Sequence, residues 1–133
     1  MKNTLFKYLS SVLFLFITIV FTANAQTEVT FKLNLQPQLE DSTFIPGRDR
    51  VYLKGNIFPL SNTKNTYLKD VAPIDSVYET TVNFSARNDG KALKYNFFIY
   101  TPDKLKKEHR TRSLKLQGKK MELSPIHFDS FAW

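Results

Sequence analysis

Residues 76–100 read SVYETTVNF, SARNDG and KALKYNFFIY, and this stretch decides the fold. In the first run Tyr78, Val82 and Phe84 fall on one side, with Glu79, Thr81 and Asn83 on the other. In the last, Leu93, Tyr95, Phe97 and Ile99 alternate with Lys94, Asn96, Phe98 and Tyr100. A period of two means strand, because successive side chains leave a pleated backbone on opposite faces. Asn88-Asp89-Gly90 in the link supplies residues that tolerate the positive φ of a tight or bulged turn. The pattern predicts a central β-hairpin with one core face. Its second face is polar until it meets Phe98 and Tyr100.

Ahead of this stretch, Lys2 and Lys7 precede an apolar run at 12–21 (VLFLFITIVF), followed by the small-x-small signal Ala23-Asn24-Ala25. Residues 1–25 read as a signal peptide, with the mature chain starting at Gln26. The run is shorter than the about 20 apolar residues that span a bilayer. No membrane span is expected after cleavage; retention as an uncleaved anchor is the alternative. Export leads to the periplasm or the cell exterior. Residues 26–133 suffice for one domain of ordinary size. The chain has no cysteine. Disulfides and cysteine-built metal sites are therefore excluded, and the core must hold by packing alone. Of the formal net charge of +7, two units are the leader lysines. The remainder fits solvation or an anionic partner, and export argues against nucleic acid.

Outward from the central stretch, EVTFKLNL at 28–35 alternates strictly and reads as a half-buried strand. QPQLEDSTFIPGRDR at 36–50 reads as a loop with a turn at Pro46-Gly47. VYLK at 51–54 is a second strand, Val51 and Leu53 inward, stopped by Gly55-Asn56. Pro59 argues against a central strand in the segment that follows, and Tyr67-Leu68 suggests a brief edge strand. After Tyr100, the polar basic stretch 101–112 has a middle that can pair as a short strand. Residues 113–116 resume alternation, Gln117-Gly118-Lys119 is a turn, and MELSPIHF at 121–128 is a last strand interrupted at Pro125. No segment shows a helical period. Seven or eight short strands point to an all-β, antiparallel β-sandwich. A small closed barrel is the alternative.

The residues offer little catalytic chemistry. Ser124 or Ser130 with His127 and Asp129 makes a triad on paper. It lacks a G-x-S-x-G turn and crowds one strand end, where successive side chains diverge. Carboxylate pairs drawn from Glu79, Glu108 and Asp129 have no distinguishing spacing. The only histidines are His109 and His127, and there is no P-loop, dinucleotide fingerprint or calcium loop. No cofactor or metal is expected, and the chain reads as a non-enzyme. The basic run at 104–120 fits either an anionic glycan or headgroup surface, or a hydrated edge whose lysines discourage sheet-to-sheet pairing. Exposed rings matter more, because they stack on sugar faces. Phe98 and Tyr100 point away from the core, and Phe58, Tyr67 and Trp133 fall in loops or at the terminus. A neighbouring loop covering Phe98 is the simpler alternative there.

The series VTFKLNL, VYLKGNIFPLSN, DSVYETTVNF, LKYNFFIY and RSLKL resembles the starch-binding domains of carbohydrate-binding module family 20 and related bacterial sandwich modules. The resemblance covers most of residues 27–130 and implies an immunoglobulin-like sandwich. Gly55-Asn56, Leu60, Tyr78-Glu79, Tyr95, Phe97, Arg112, Leu114 and Leu116 match the family framework. The binding positions differ. Ser61-Asn62-Thr63 stands where the family places a stacking tryptophan, Asn96 where it places a lysine, and Lys107 where a second tryptophan precedes Glu108. Losing a stacking ring costs on the order of 1 kcal/mol or more. The resemblance implies a secreted, non-catalytic module for an oligosaccharide or polysaccharide, and the missing tryptophans leave its ligand free to differ from starch. Asn96, Phe98, Tyr100 and Glu108 are the candidate displaced site: rings to stack, amide and carboxylate to bind hydroxyls. A sandwich kept for contact with an exported protein partner is the competing expectation.

Overall fold

The alternating runs settle into two layers. The computed structural model describes residues 26–131; the leader expected at 1–25, and Trp133, lie outside them. The strands are β1 (Gln26–Asn34), β2 (Arg50–Gly55), β3 (Thr66–Tyr67), β4 (Lys69–Asp70), β5 (Val77–Ser85), β6 (Ala92–Tyr100), β7 (Leu105–Lys107), β8 (Arg112–Lys115), β9 (Lys120–Glu122) and β10 (Ile126–His127). A short helix α1 (Gln36–Glu40) follows β1. One five-stranded sheet, sheet A, joins β4, β5 and β1, with β9 and β10 on the far edge of β1. The other, sheet B, joins β3, β2 and β6, with β7 and β8 on the far edge of β6. The fold is all-β and sandwich-like, and among the described residues no sheet closes into a barrel.

The central stretch is not a hairpin. β5 pairs antiparallel with β1 from Val77↔Asn34 to Ser85↔Gln26, while β6 pairs with β2 in the other sheet. The link between them forms a 3-10 turn at Ala86–Asn88 that buries Asn88, and Gly90 (φ 82°) donates its N–H to the Leu116 carbonyl at 2.6 Å. Alternation reveals which side chains face a core, and both runs do present theirs inward. It does not reveal whether two such strands lie side by side or face each other. Six residues suffice to arch over the roughly 10 Å between stacked sheets. The inward sets meet there: Phe31 of β1 touches Tyr95 of β6 edge-on at 5.2 Å, within a core that includes Leu33, Phe84, Leu53, Phe97 and Ile99. Burying each of these large apolar side chains contributes about 1.5–3 kcal/mol.

Other departures have local causes. Pro37 starts α1 without costing a hydrogen bond, and five residues are too few to display a helical period. The predicted edge strand at Tyr67-Leu68 splits: Tyr67 ends β3 in sheet B, buried Leu68 crosses between layers, and Lys69 opens β4 in sheet A. Pro125 separates β9 from β10, and both run parallel to β1, so sheet A is mixed rather than antiparallel. β2 ends at Gly55, a position that only glycine fits closely, because a Cβ there would meet Leu60 Cδ1 at 2.9 Å and the Lys94 carbonyl at 3.2 Å. Asn56 then continues the ladder with its side chain, Oδ1 accepting from the Lys94 N–H at 2.9 Å.

Candidate ligand-binding face

The outward face of sheet B collects the rings that alternation turns away from the core. Register sets them in rows across the strands. Tyr67, Tyr52, Phe98 and Lys107 form one row, Arg50, Tyr100 and Leu105 the next, and Lys54 with Asn96 a third. Tyr52 and Phe98 stack at 5.3 Å with their planes 4° apart, and Tyr67 meets Tyr52 edge-on at 5.8 Å. Lys54 Nζ stands 5.6 Å from the Tyr52 centroid and 5.2 Å from that of Phe98, and Lys107 Nζ is 5.9 Å from Phe98. The stacked pair is thus closed under two ammonium groups and buried. That burial raises the Tyr52 phenol above its ordinary value, with Tyr67 and Tyr100 adding to the shift. Tyr67 (46% exposed) and Tyr100 (51%) stay open on either side of it.

The four residues expected to form a site are divided by the fold. Asn96, Phe98 and Tyr100 share the outward face of β6. Asn96 is buried there with both ends of its amide engaged: Nδ2 donates to the Arg110 carbonyl at 2.7 Å, and Oδ1 accepts from Thr111 Oγ1 at 3.3 Å. Glu108 does not reach the face. Alternation after Lys107 turns it inward, where it is 2% exposed. Its carboxylate accepts from the Phe97 N–H at 3.0 Å, the Asp129 N–H at 2.9 Å, and Arg112 Nε and Nη2 at 3.0 and 2.6 Å. It has no role open toward ligand hydroxyls. Instead it fills the break between β7 and β8, two short strands sharing one edge of β6, and Arg112 carries the clasp on to the Ser130 carbonyl at 3.0 Å.

The paper triad comes apart as well. Asp129 pairs with the His109 ring and accepts from the His109 N–H at 2.8 Å, while His127 Nδ1 lies 3.3 Å from the Asn34 carbonyl. Burial works against ionisation of Asp129, but His109 and Arg112 outweigh it and hold the carboxyl below its ordinary value. Among the described residues no group of three or more His, Asp or Glu side chains is placed to hold a metal ion. No described helix is long and apolar enough to cross a membrane.

No family model matches the chain, and no curated protein matches it in sequence. The face must be judged on its own geometry. Beside the closed ring pair lies a groove of about 450 Å³ whose walls include Lys54, Asn62, Lys94, Asn96, Phe98 and Lys107. Lys54, Lys94 and Tyr52 are the residues that motif spacing passed over. Tyr52 was findable, since it sits between inward Val51 and Leu53. The lysines were not, because nothing in sequence brings β2, β6 and β7 side by side.

Proposed function

We propose that this chain is an exported, non-catalytic module that binds a glycan on the outward face of sheet B. The observation that carries this reading is the pair Tyr67 and Tyr100. Both are about half exposed on the outward face of one sheet, on either side of the buried Tyr52–Phe98 pair. They lie two strands and one outward step apart, about 12 Å from strand spacing and rise. Rings fixed on strands offer sugar faces a platform with little entropy left to lose. The immunoglobulin-like ancestry and the cleaved leader belong to the same proposal, and the loss of the family's tryptophans moves the platform to tyrosines.

Affinity electrophoresis against a panel of α-glucans and other polysaccharides tests it. Retardation by at least one glycan is expected, and Tyr100→Ala should abolish it. No retardation by any of them at concentrations that slow a tryptophan-bearing relative rejects the reading.

Leu105, 52% exposed and directly opposite Tyr100, favours a second reading in which the same face contacts an exported protein. Recovery of the purified chain as a monomer with no co-isolating partner counts against that one.

A further inference from the structure

Sheet A and sheet B treat charge differently. On sheet A's outward face the signs alternate across the strands: Lys69 opposes Glu79, Glu79 opposes Lys32, and Lys32 bonds Glu122 at 2.8 Å. On sheet B's outward face every charged strand residue is a cation: Arg50, Lys54, Lys94, Lys107 and Lys115. None of them is ion-paired among the described residues. Lysines on edge strands are explained by protection against aggregation, which covers Lys107 and Lys115. It does not cover Lys94, which stands on the interior strand β6 between Asn56 and Ser113; Lys54 stands on β2 one residue past its last pairing with β3. No carboxylate stands opposite any of these cations: Lys54 pairs with Asn96, Lys94 with Ser113 and Lys107 with Phe98, so a carboxylate-bearing ligand supplies what the face lacks.

We infer that the groove between Lys54, Lys94 and Lys107 takes an acidic polysaccharide, the carboxylates of its uronic acid residues seating among the three ammonium groups. The inference rests on the glycan-binding reading of the same face and names its ligand class. The lysines are held in place before any ligand arrives. Lys54 and Lys107 lie over Phe98, and Lys94 Nζ donates to Ser113 Oγ at 3.1 Å. Asn62 lines the same groove and offers an amide to hydroxyls. The groove at Asn96 and Phe98 leads along β6 to Tyr100, one outward step or roughly 7 Å further on. A chain of sugars can therefore set a carboxylate in the groove and a ring face on Tyr100. Charge attracts the polymer, and the tyrosine distinguishes a sugar from other polyanions.

The test is affinity electrophoresis of the purified protein in gels holding polygalacturonate, alginate, amylopectin or dextran sulfate, with a duplex DNA shift assay beside them. Polygalacturonate or alginate should retard the protein and amylopectin should not, with the effect weakening as salt rises. Lys94→Gln and Lys107→Gln, both at exposed side chains, should each reduce affinity about tenfold. Tyr100→Ala should abolish retardation by the uronates. Retardation by amylopectin that survives both lysine substitutions overturns the acidic ligand and leaves glycan binding standing. Failure of every glycan to retard the protein overturns glycan binding itself. Equal binding of uronates, dextran sulfate and DNA, indifferent to Tyr100→Ala, reduces the face to a general polyanion surface and overturns the inference.

Discussion

The two outward faces of this sandwich share a solvent, a strand geometry and a core, yet they carry different side chains. Sheet A's face is a lattice of opposite charges with threonines between them, such as Thr30 and Thr81, whose hydroxyls lie 3.0 Å apart. Each cation there has a carboxylate nearby, and no large ring interrupts the pattern. Sheet B's face has the rings, the cations and none of the carboxylates. A fold needs one solvated face per sheet, and sheet A makes one from paired charges. Under the proposed function, the departure on sheet B is what a ligand uses.

Sheet B also leans on a buried support that sheet A does without, and removing it gives the largest expected effect. Glu108→Gln leaves the Arg112 guanidinium, 11% exposed, without its counter-charge at the core margin. Breaking a buried pair from one side costs about 3–5 kcal/mol, so the urea midpoint should fall far. Lys32→Gln on sheet A breaks an exposed pair and should barely move it. Equal shifts in the two variants would mean that the face of sheet B is not held from beneath. Next in size is Gly55→Ala. Its new methyl group runs into Leu60 Cδ1 at 2.9 Å and crowds the Lys94 carbonyl at 3.2 Å, an overpacking of about 1–3 kcal/mol. Because Lys94 lines the groove, this variant should also weaken ligand binding, which no substitution on sheet A should do.

Acid should separate the two regions by another route. Asp129 fastens the segment after β10 to His109, and its carboxyl is held below the ordinary value despite its burial. A depressed carboxyl contributes stability that is complete above its unfolded value, here about 3.8, and is lost as pH falls through the lower folded one. Asp49, buried and bonded by Arg48 at 2.8 Å, is depressed in the same sense. Stability measured by urea titration should therefore drop below about pH 4, and Asp129→Asn should flatten part of that drop. An unchanged acid limb would show that the Asp129 clasp does not couple to unfolding.

Much of this was legible in the sequence, and the reasons for the rest are specific. Alternation placed Leu93, Tyr95, Phe97 and Ile99 inward and Phe98 and Tyr100 outward, because a pleated strand leaves no other choice. Gly55-Asn56 reads as a stop, β2 ends there, and the close approach of Leu60 accounts for the glycine. Strand partners were not legible. The link at 85–90 suits a hairpin and an arch equally well, and only the nine-residue match between β1 and β5 decides for the arch. Glu108 reads as a carboxylate that can meet ligand hydroxyls, and the structure buries it. Its burial depends on Arg112 four residues on and on a main-chain break that composition does not announce. The groove was invisible for a simpler reason: Lys54, Lys94 and Lys107 are distant in sequence and meet only in the sheet.

The smallest effect is the most discriminating, because its sign is unusual. If the cations of sheet B were there to stabilise the domain, replacing them should weaken it. If they are held against mutual repulsion for a ligand, relieving the repulsion should strengthen the fold while it ruins the site. Lys94 is exposed on β6 and stands diagonally between Lys54 of β2 and Lys115 of β8, so reversing it leaves the core and the ladder untouched. The variant Lys94→Glu should unfold at a slightly higher urea concentration than the parent in low salt. That gain should vanish in high salt, where exposed charges are screened. The matched change on sheet A, Lys32→Glu, places like charges beside Glu79 and Glu122 and should lower the midpoint under the same conditions. Opposite signs on the two faces are what separate a surface arranged for solvent from one arranged for an anion. A loss on both would return the lysines of sheet B to ordinary solvation.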